Sequence, residues 1–158
     1  MQITSYTDYA LRALLYLAIS PNKQVNIAEI ADFYNISRNH LVKIVHQLGS
    51  KGFVKTTRGK GGGFVLQRPP EMIRIGDVVR SMEKHFNWVE CFNPTQQSCR
   101  LLPGCGLKHL LAQAGNAYLQ VLDATTLADV LLNTVTAELP QNTQSITPLS
   151  SAVTENKA

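Results

Sequence analysis

The chain has 158 residues, 44% of them hydrophobic, which suits one or two small domains with a proper core. Its formal net charge of +4 is unevenly placed: residues 1–75 carry ten Lys and Arg against four Asp and Glu, and residues 76–158 carry five against seven. That distribution points to a polyanion-binding half joined to a neutral or slightly acidic remainder; no apolar run of about 20 uncharged residues could span a bilayer, and no basic leader precedes "YALRALLYLAIS", so a cytoplasmic protein without a membrane partner is expected.

The first helix is predicted from about Tyr6 to Ile19, with Ala10, Leu11, Leu14, Leu15 and Ala18 at helical spacing. Ser5 and Asp8 could form a capping box at its start, and Pro21-Asn22 stops it. A short second helix begins near Asn26 and carries Ile27, Ile30, Ala31 and Tyr34 on one face. After the turn "YNIS", Ser37 caps a third helix that buries Leu41, Ile44, Val45 and Leu48 and ends at Gly49 or Gly52.

Two short helices joined by a tight turn form a helix-turn-helix pattern. "GFVKTT" and "GFVLQR" read as strands flanking "RGKGG", so a β-hairpin wing follows. The fold class is therefore mainly α with a small hairpin: a winged helix-turn-helix DNA-binding domain over residues 1–85. The third helix offers Ser37, Arg38, Asn39, His40, Lys43 and Gln47 opposite its leucines, and Arg and Asn have the geometry to read guanine and adenine edges. Arg58 and Lys60 sit among glycines at the hairpin tip, where a cation can follow a phosphate backbone or enter a minor groove. The partner implied is double-stranded DNA.

A fourth helix starts near Ile75, with Ile75, Val78, Val79 and Met82 as its stripe. Residues 86–106 form an irregular loop holding every cysteine. A long helix, about Leu107 to Leu122, keeps Leu107, Leu110, Leu111, Ala114, Tyr118, Val121 and Leu122 on one apolar face, most simply for packing on a second copy in a homodimer. "TTLADVLLN" closes residues 107–133 as a last short helix capped by Thr125 or Thr126. Residues 134–158 read as a disordered tail.

Cys91, Cys99 and Cys105 follow a C-x7-C-x5-C pattern in a loop with Pro94, Pro103 and Gly104. Soft thiolates favour zinc, copper(I) or an iron–sulfur cluster. Structural zinc sites use closer Cys pairs and four ligands, and iron–sulfur clusters also take four ligands. Three unrelated cysteines, or thiols that oxidise directly, remain alternatives. His40, His46, His85 and His109 form no nucleophile–base set, so no enzyme is expected.

"TSYTDYALRALLYLA", "IAEIADFYNISRNHLVKIVHQLGSKGFVKTTRGKGGGFVL" and the three-cysteine loop before a long helix give the chain, to about Asn133, a resemblance. It resembles the Rrf-type (IscR/NsrR) winged-helix transcription regulators. The resemblance implies homodimers on near-palindromic operators and an iron–sulfur cluster on Cys91, Cys99 and Cys105, [4Fe–4S] in preference to [2Fe–2S]. IscR-type members have a histidine shortly after the third cysteine; here Lys108 stands third after Cys105 and His109 one later. The loop and the "TDYALRAL" segment are more similar to the nitric-oxide-sensing repressors of the family. That likeness implies a repressor of nitric oxide detoxification genes; an iron–sulfur-status regulator and a metal-free thiol redox regulator are the alternatives. It also implies an aspartate near the start of the first helix reaching the partner subunit's cluster, and Asp8 stands there.

Overall fold

A computed structural model describes residues 3–59, 61–95, 98–102 and 104–135. Lys60 and the tail from residue 136 lie outside the described residues. The described residues form six helices and one hairpin in the order α1 (Ser5–Ala18), α2 (Ile27–Tyr34), α3 (Arg38–Ser50), β1 (Val54–Thr57), β2 (Gly63–Leu66), α4 (Ile75–Met82), α5 (Gly106–Ala124) and α6 (Leu127–Val135). Among the described residues, two short 3-10 turns, Pro70–Met72 and Glu90–Phe92, were not evident from hydrophobic spacing.

The first helix begins one residue earlier than its periodicity suggests. Thr4 has the extended backbone of a cap (φ −64°, ψ 149°), and its hydroxyl accepts from the Thr7 N–H at 3.3 Å. Ser5 is already inside the first turn, so the Ser5–Asp8 capping box is not formed. The Asp8 carboxylate is turned to Arg12 instead. Thr7, Ala10, Ala13, Leu14 and Leu17 are the buried row of α1, with Leu11, Leu15 and Ala18 half-buried beside it.

Asn26 caps α2 by accepting from the Glu29 N–H at 3.0 Å, while its own amide donates to the Glu29 carboxylate. Asn35 ends α2 in the left-handed region (φ 53°), a conformation Asn tolerates, and the Ile36 N–H returns to the Ala31 carbonyl. This turn sets α3 across α2. All four apolar positions expected in α3 are buried, and so are all four in α4. Leu14, Ile30, Leu41, Ile44, Leu48, Ile73 and Leu127 are fully enclosed, each contributing about 1.5–3 kcal/mol relative to exposure.

The hairpin pairs Val54 with Leu66 through Thr57 with Gly63. Val25, just before α2, adds an isolated bridge to Phe64, which ties the wing to the helix-turn-helix. Gly63 is required there, because a Cβ would meet the Val25 carbonyl at 2.6 Å. At the far side of the domain, the Ile75 N–H donates to the Thr125 carbonyl and the Leu127 N–H to the Ile73 carbonyl. These bonds bring α6 onto α1, and Leu127 fills the core. Thr126 is the α6 cap: its hydroxyl accepts from the Asp129 N–H.

The long helix departs from its expected single apolar face. Its stripe divides in two. Leu111, Tyr118 and Leu122 are half-buried on the inward side, beside the fully buried Gly115. Leu107, Leu110, Ala114 and Val121 remain exposed, spaced three, four and seven residues apart. On the inward side the Trp88 ring lies directly on Gly115, where any Cβ would stand.

Candidate nucleic-acid interface and cysteine loop

Ser37, just before α3, and Arg38, Asn39, His40 and Lys43 on its first half all lie exposed. The Ser37 hydroxyl makes no capping bond. Arg38 is held toward α2 by Asp32, at 3.2 and 3.4 Å to its two carboxylate oxygens. Both side chains are well exposed (64% and 69%), so this pair costs little to open. Gln47 does not belong to the outward face. It is half-buried, and its amide donates to the Ser81 carbonyl at 2.8 Å, joining α3 to the end of α4. Its position three residues after Ile44 places it beside the buried row.

Arg58 is exposed at the end of β1. The tip that follows turns through Gly59 (φ 106°) and Gly61 (φ 83°), conformations that side-chain-bearing residues resist. The glycine run thus has a conformational reason besides any approach to phosphate. Lys55 is exposed on β1 and Lys51 follows α3, so cations border the outward side of α3 and the hairpin.

The cysteine loop leaves α4 through an aromatic cluster. Trp88 meets Phe86, Phe92 and Tyr118 edge to face at 6.5, 6.3 and 6.1 Å. Beside it lies a cavity of about 280 Å³ bordered by Thr4, Glu83, Trp88 and Tyr118. Burial pushes the Tyr118 hydroxyl up from its ordinary pKa. Burial also acts to raise the Glu83 carboxyl, but hydrogen bonds from Thr7 and Thr4 together with nearby His85 outweigh it and hold it below the usual carboxylate range. Between the same two helices, the Arg80 guanidinium of α4 grips the Asp123 carboxylate of α5 with its two terminal nitrogens, which lowers the Asp123 carboxyl, and Arg74 donates to the Asp123 carbonyl.

Cys91 stands on the second 3-10 turn, Cys99 on the open loop and Cys105 at the cap of α5. All three are free thiols; Cys91 and Cys105 are half-buried and Cys99 is exposed. Among the described residues, no three His, Cys, Asp or Glu side chains converge in an arrangement that could hold a metal ion. The donor chemistry fits an iron–sulfur cluster, with three uncommitted soft thiols on one loop, but within a single chain the set is not assembled in advance. Asp8 is half-exposed and paired with Arg12 at 3.0 Å. It borders an open hollow of about 450 Å³ with Ile3, Ser5, Leu11 and Arg12.

Thr4, Glu83, Trp88 and Asp123 escaped the sequence reading. Their partners are remote in the chain, and only the lone tryptophan beside the cysteines offered a signal. No described helix is long and apolar enough to cross a membrane.

Comparison with known proteins gives this geometry a family. The Rrf2 family, described as iron-dependent transcriptional regulators, matches residues 3–133. The HTH-type transcriptional regulator NsrR of Bacillus licheniformis is 52% identical over 134 residues, 84% of this chain and 94% of that protein. NsrR of Bacillus subtilis is 51% identical, covering 84% and 92%. The solved structure of IscR from T. potens matches with a TM-score of 0.70 at 25% identity, over 89% of this chain and 93% of that one. A winged helix-turn-helix with an exposed basic α3, matched over nearly its whole described length, leaves one conclusion: the chain belongs to the Rrf2 family and is a DNA-binding transcriptional regulator.

Proposed function

We propose that this regulator is a repressor that senses nitric oxide through an iron–sulfur cluster and controls nitric oxide detoxification genes. The observation that carries the reading is the likeness to regulators named NsrR, about 50% identical over most of both chains. In this reading Ser37, Arg38, Asn39, His40 and Lys43 face the operator from α3, and Arg58 and Lys60 from the wing. Two copies pair through the exposed α5 row of Leu107, Leu110, Ala114 and Val121, whose spacing suits helix–helix packing. Pairing sets two recognition helices about one DNA turn apart, roughly 34 Å.

Cys91, Cys99 and Cys105 would hold the cluster, [4Fe–4S] in preference to [2Fe–2S], with Asp8 of the partner subunit as the fourth ligand. When bound, the cluster supplies iron that nitric oxide can attack. Asp8 is accessible for this role. Its ion pair with Arg12 is exposed and of a kind worth only about 0.3–0.5 kcal/mol, so a stronger partner displaces it readily. Trp88, wedged on Gly115, ties the start of the cysteine loop to α5, so a change in the loop is felt at the helix that pairs the subunits.

The test is anaerobic purification, with iron and sulfide analysis, followed by titration with a nitric oxide donor while operator binding is measured. The proposal requires a coloured protein whose visible absorption and DNA binding decline together. A colourless, metal-free protein that binds DNA equally with and without nitric oxide ends it. The exposure of Cys99 favours one second reading, a metal-free thiol regulator. In that case peroxide, and not nitric oxide, would release the DNA.

A further inference from the structure

Among the described residues of α3, Val42 is the large apolar side chain left in solvent. It is 54% exposed, whereas Leu41, Ile44, Val45 and Leu48 are buried. It stands three residues after Asn39, four after Arg38 and four before His46, and so shares the outward face with them. A β-branched residue here adds nothing to the core and is a poorer helix former than most of the residues that could replace it. Folding alone therefore does not call for valine at this position.

Val42 also borders an open concavity of about 720 Å³ where three elements meet. Asn26 belongs to the start of α2, Val45 and His46 to α3, and Lys55 and Thr56 to the wing. Val42 makes part of this surface apolar, and the exposed cations Lys43, Lys55 and Arg58 lie on the same two elements, α3 and β1 with its tip. A polyanion with an apolar feature at its centre is the complement of such a surface. In the major groove, the apolar group that a base presents is the C5-methyl of thymine.

We propose that Val42 reads a thymine methyl in each operator half-site. The inference rests on operator binding through α3, and adds an apolar specificity contact to the polar ones of Arg38 and Asn39. Removing the methyl, or shortening Val42, lowers affinity by about fourfold per half-site, the factor that corresponds to one buried methyl group. Because no phosphate contact changes, the dependence of binding on salt stays the same.

The experiment uses the full chain, purified anaerobically, to select its preferred sequence from a random duplex library. Each thymine of that sequence is then replaced by deoxyuridine, which removes only the methyl group. At one symmetry-related thymine pair, the doubly substituted DNA should bind the unaltered protein about fifteenfold more weakly, two fourfold steps combined. Val42→Ala should bind both DNAs at the weakened level and no longer tell them apart, the non-additivity of two lesions in one contact. Val42 is exposed, so the variant folds, and circular dichroism verifies it. If deoxyuridine is tolerated at every position, Val42 touches no methyl and is an ordinary exposed side chain. If Val42→Ala keeps the full discrimination, another residue reads the methyl. A library that enriches no sequence overturns the α3 operator reading itself, a failure distinct from these two.

Discussion

Glu83, the residue that closes α4, accepts hydrogen bonds from both the backbone N–H and the hydroxyl of Thr4, each at 2.9 Å. The cap of α1 is thereby fastened to the point where the cysteine loop departs, 79 positions along the chain. The carboxylate form is the one that accepts these bonds; burial acts to raise the Glu83 carboxyl, but a hydrogen bond from Thr7, the two from Thr4 and nearby His85 together hold it below its ordinary value of 4.5. A depressed carboxylate contributes stability that is complete above the unfolded pKa and lost as pH falls through the folded one. Glu83→Gln should therefore lower the melting temperature at neutral pH, by an amount equivalent to about 1 kcal/mol after allowance for solvent screening. The gap between the two proteins should close below pH 4.5. Thermal unfolding followed across pH checks this, and a gap that persists in acid would mean that the charge on Glu83 is irrelevant.

Asp8 and Thr4 occupy the same helix start but different roles. Thr4→Ala should cost about 1 kcal/mol of stability, as loss of an N-cap does, and should leave the visible spectrum of the anaerobic protein alone. Asp8→Ala removes an exposed ion pair and should shift the melting temperature little. If Asp8 is a ligand, that second variant changes the spectrum and the nitric oxide response. Two spectra indistinguishable from the parent's would assign Asp8 to surface pairing only.

The exposed row of α5 predicts the behaviour of the assembly. Leu110 is 60% exposed in the single chain. Leu110→Asp should leave the fold of one protomer intact, as judged by circular dichroism, but convert the proposed dimer to monomers in light scattering. Operator affinity should fall with it, because one half-site alone is then engaged. A Leu110→Asp dimer of unchanged affinity would place the subunit contact elsewhere.

Asp32 holds Arg38 and, in the proposed function, also puts a negative charge near the helix that faces DNA. Asp32→Asn should strengthen binding to random DNA by a few-fold through loss of a repulsive charge, and to operator by more, since it also frees Arg38 to reach a base. Arg58→Ala should weaken both and flatten the salt dependence by about one counterion per half-site. Binding isotherms at several salt concentrations decide it. An unchanged slope for Arg58→Ala removes that arginine from the phosphate contacts.

The rows Leu41–Ile44–Val45–Leu48 and Ile75–Val78–Val79–Met82 were legible in the sequence because each helix has a single buried face. The long helix was misread in part, since it serves two surfaces at once and periodicity cannot separate adjacent stripes. The α1 cap shifted by one residue because Thr4 and Ser5 are chemically equivalent as caps, and only the backbone angles tell them apart. Gln47 looks like a DNA-facing amide until Ser81, 34 residues away, is brought beside it. Arg80 with Asp123 and Glu83 with Thr4 follow the same rule: polar pairs between distant segments leave no local pattern. The three cysteines are evident as one loop in the sequence, but their spacing does not say whether they converge or which side chain would join them.

Trp88 is the single tryptophan of the chain. It is seated on Gly115, ringed by Phe86, Phe92 and Tyr118, and lies three residues before Cys91. The protein thus carries its own fluorophore where the start of the cysteine loop packs on α5. Its emission wavelength reports whether the ring is seated or released to water, and any visible-absorbing group held by the loop would quench it by energy transfer. Events at the cysteines can therefore be followed in real time by ultraviolet excitation, with no label attached and no residue replaced.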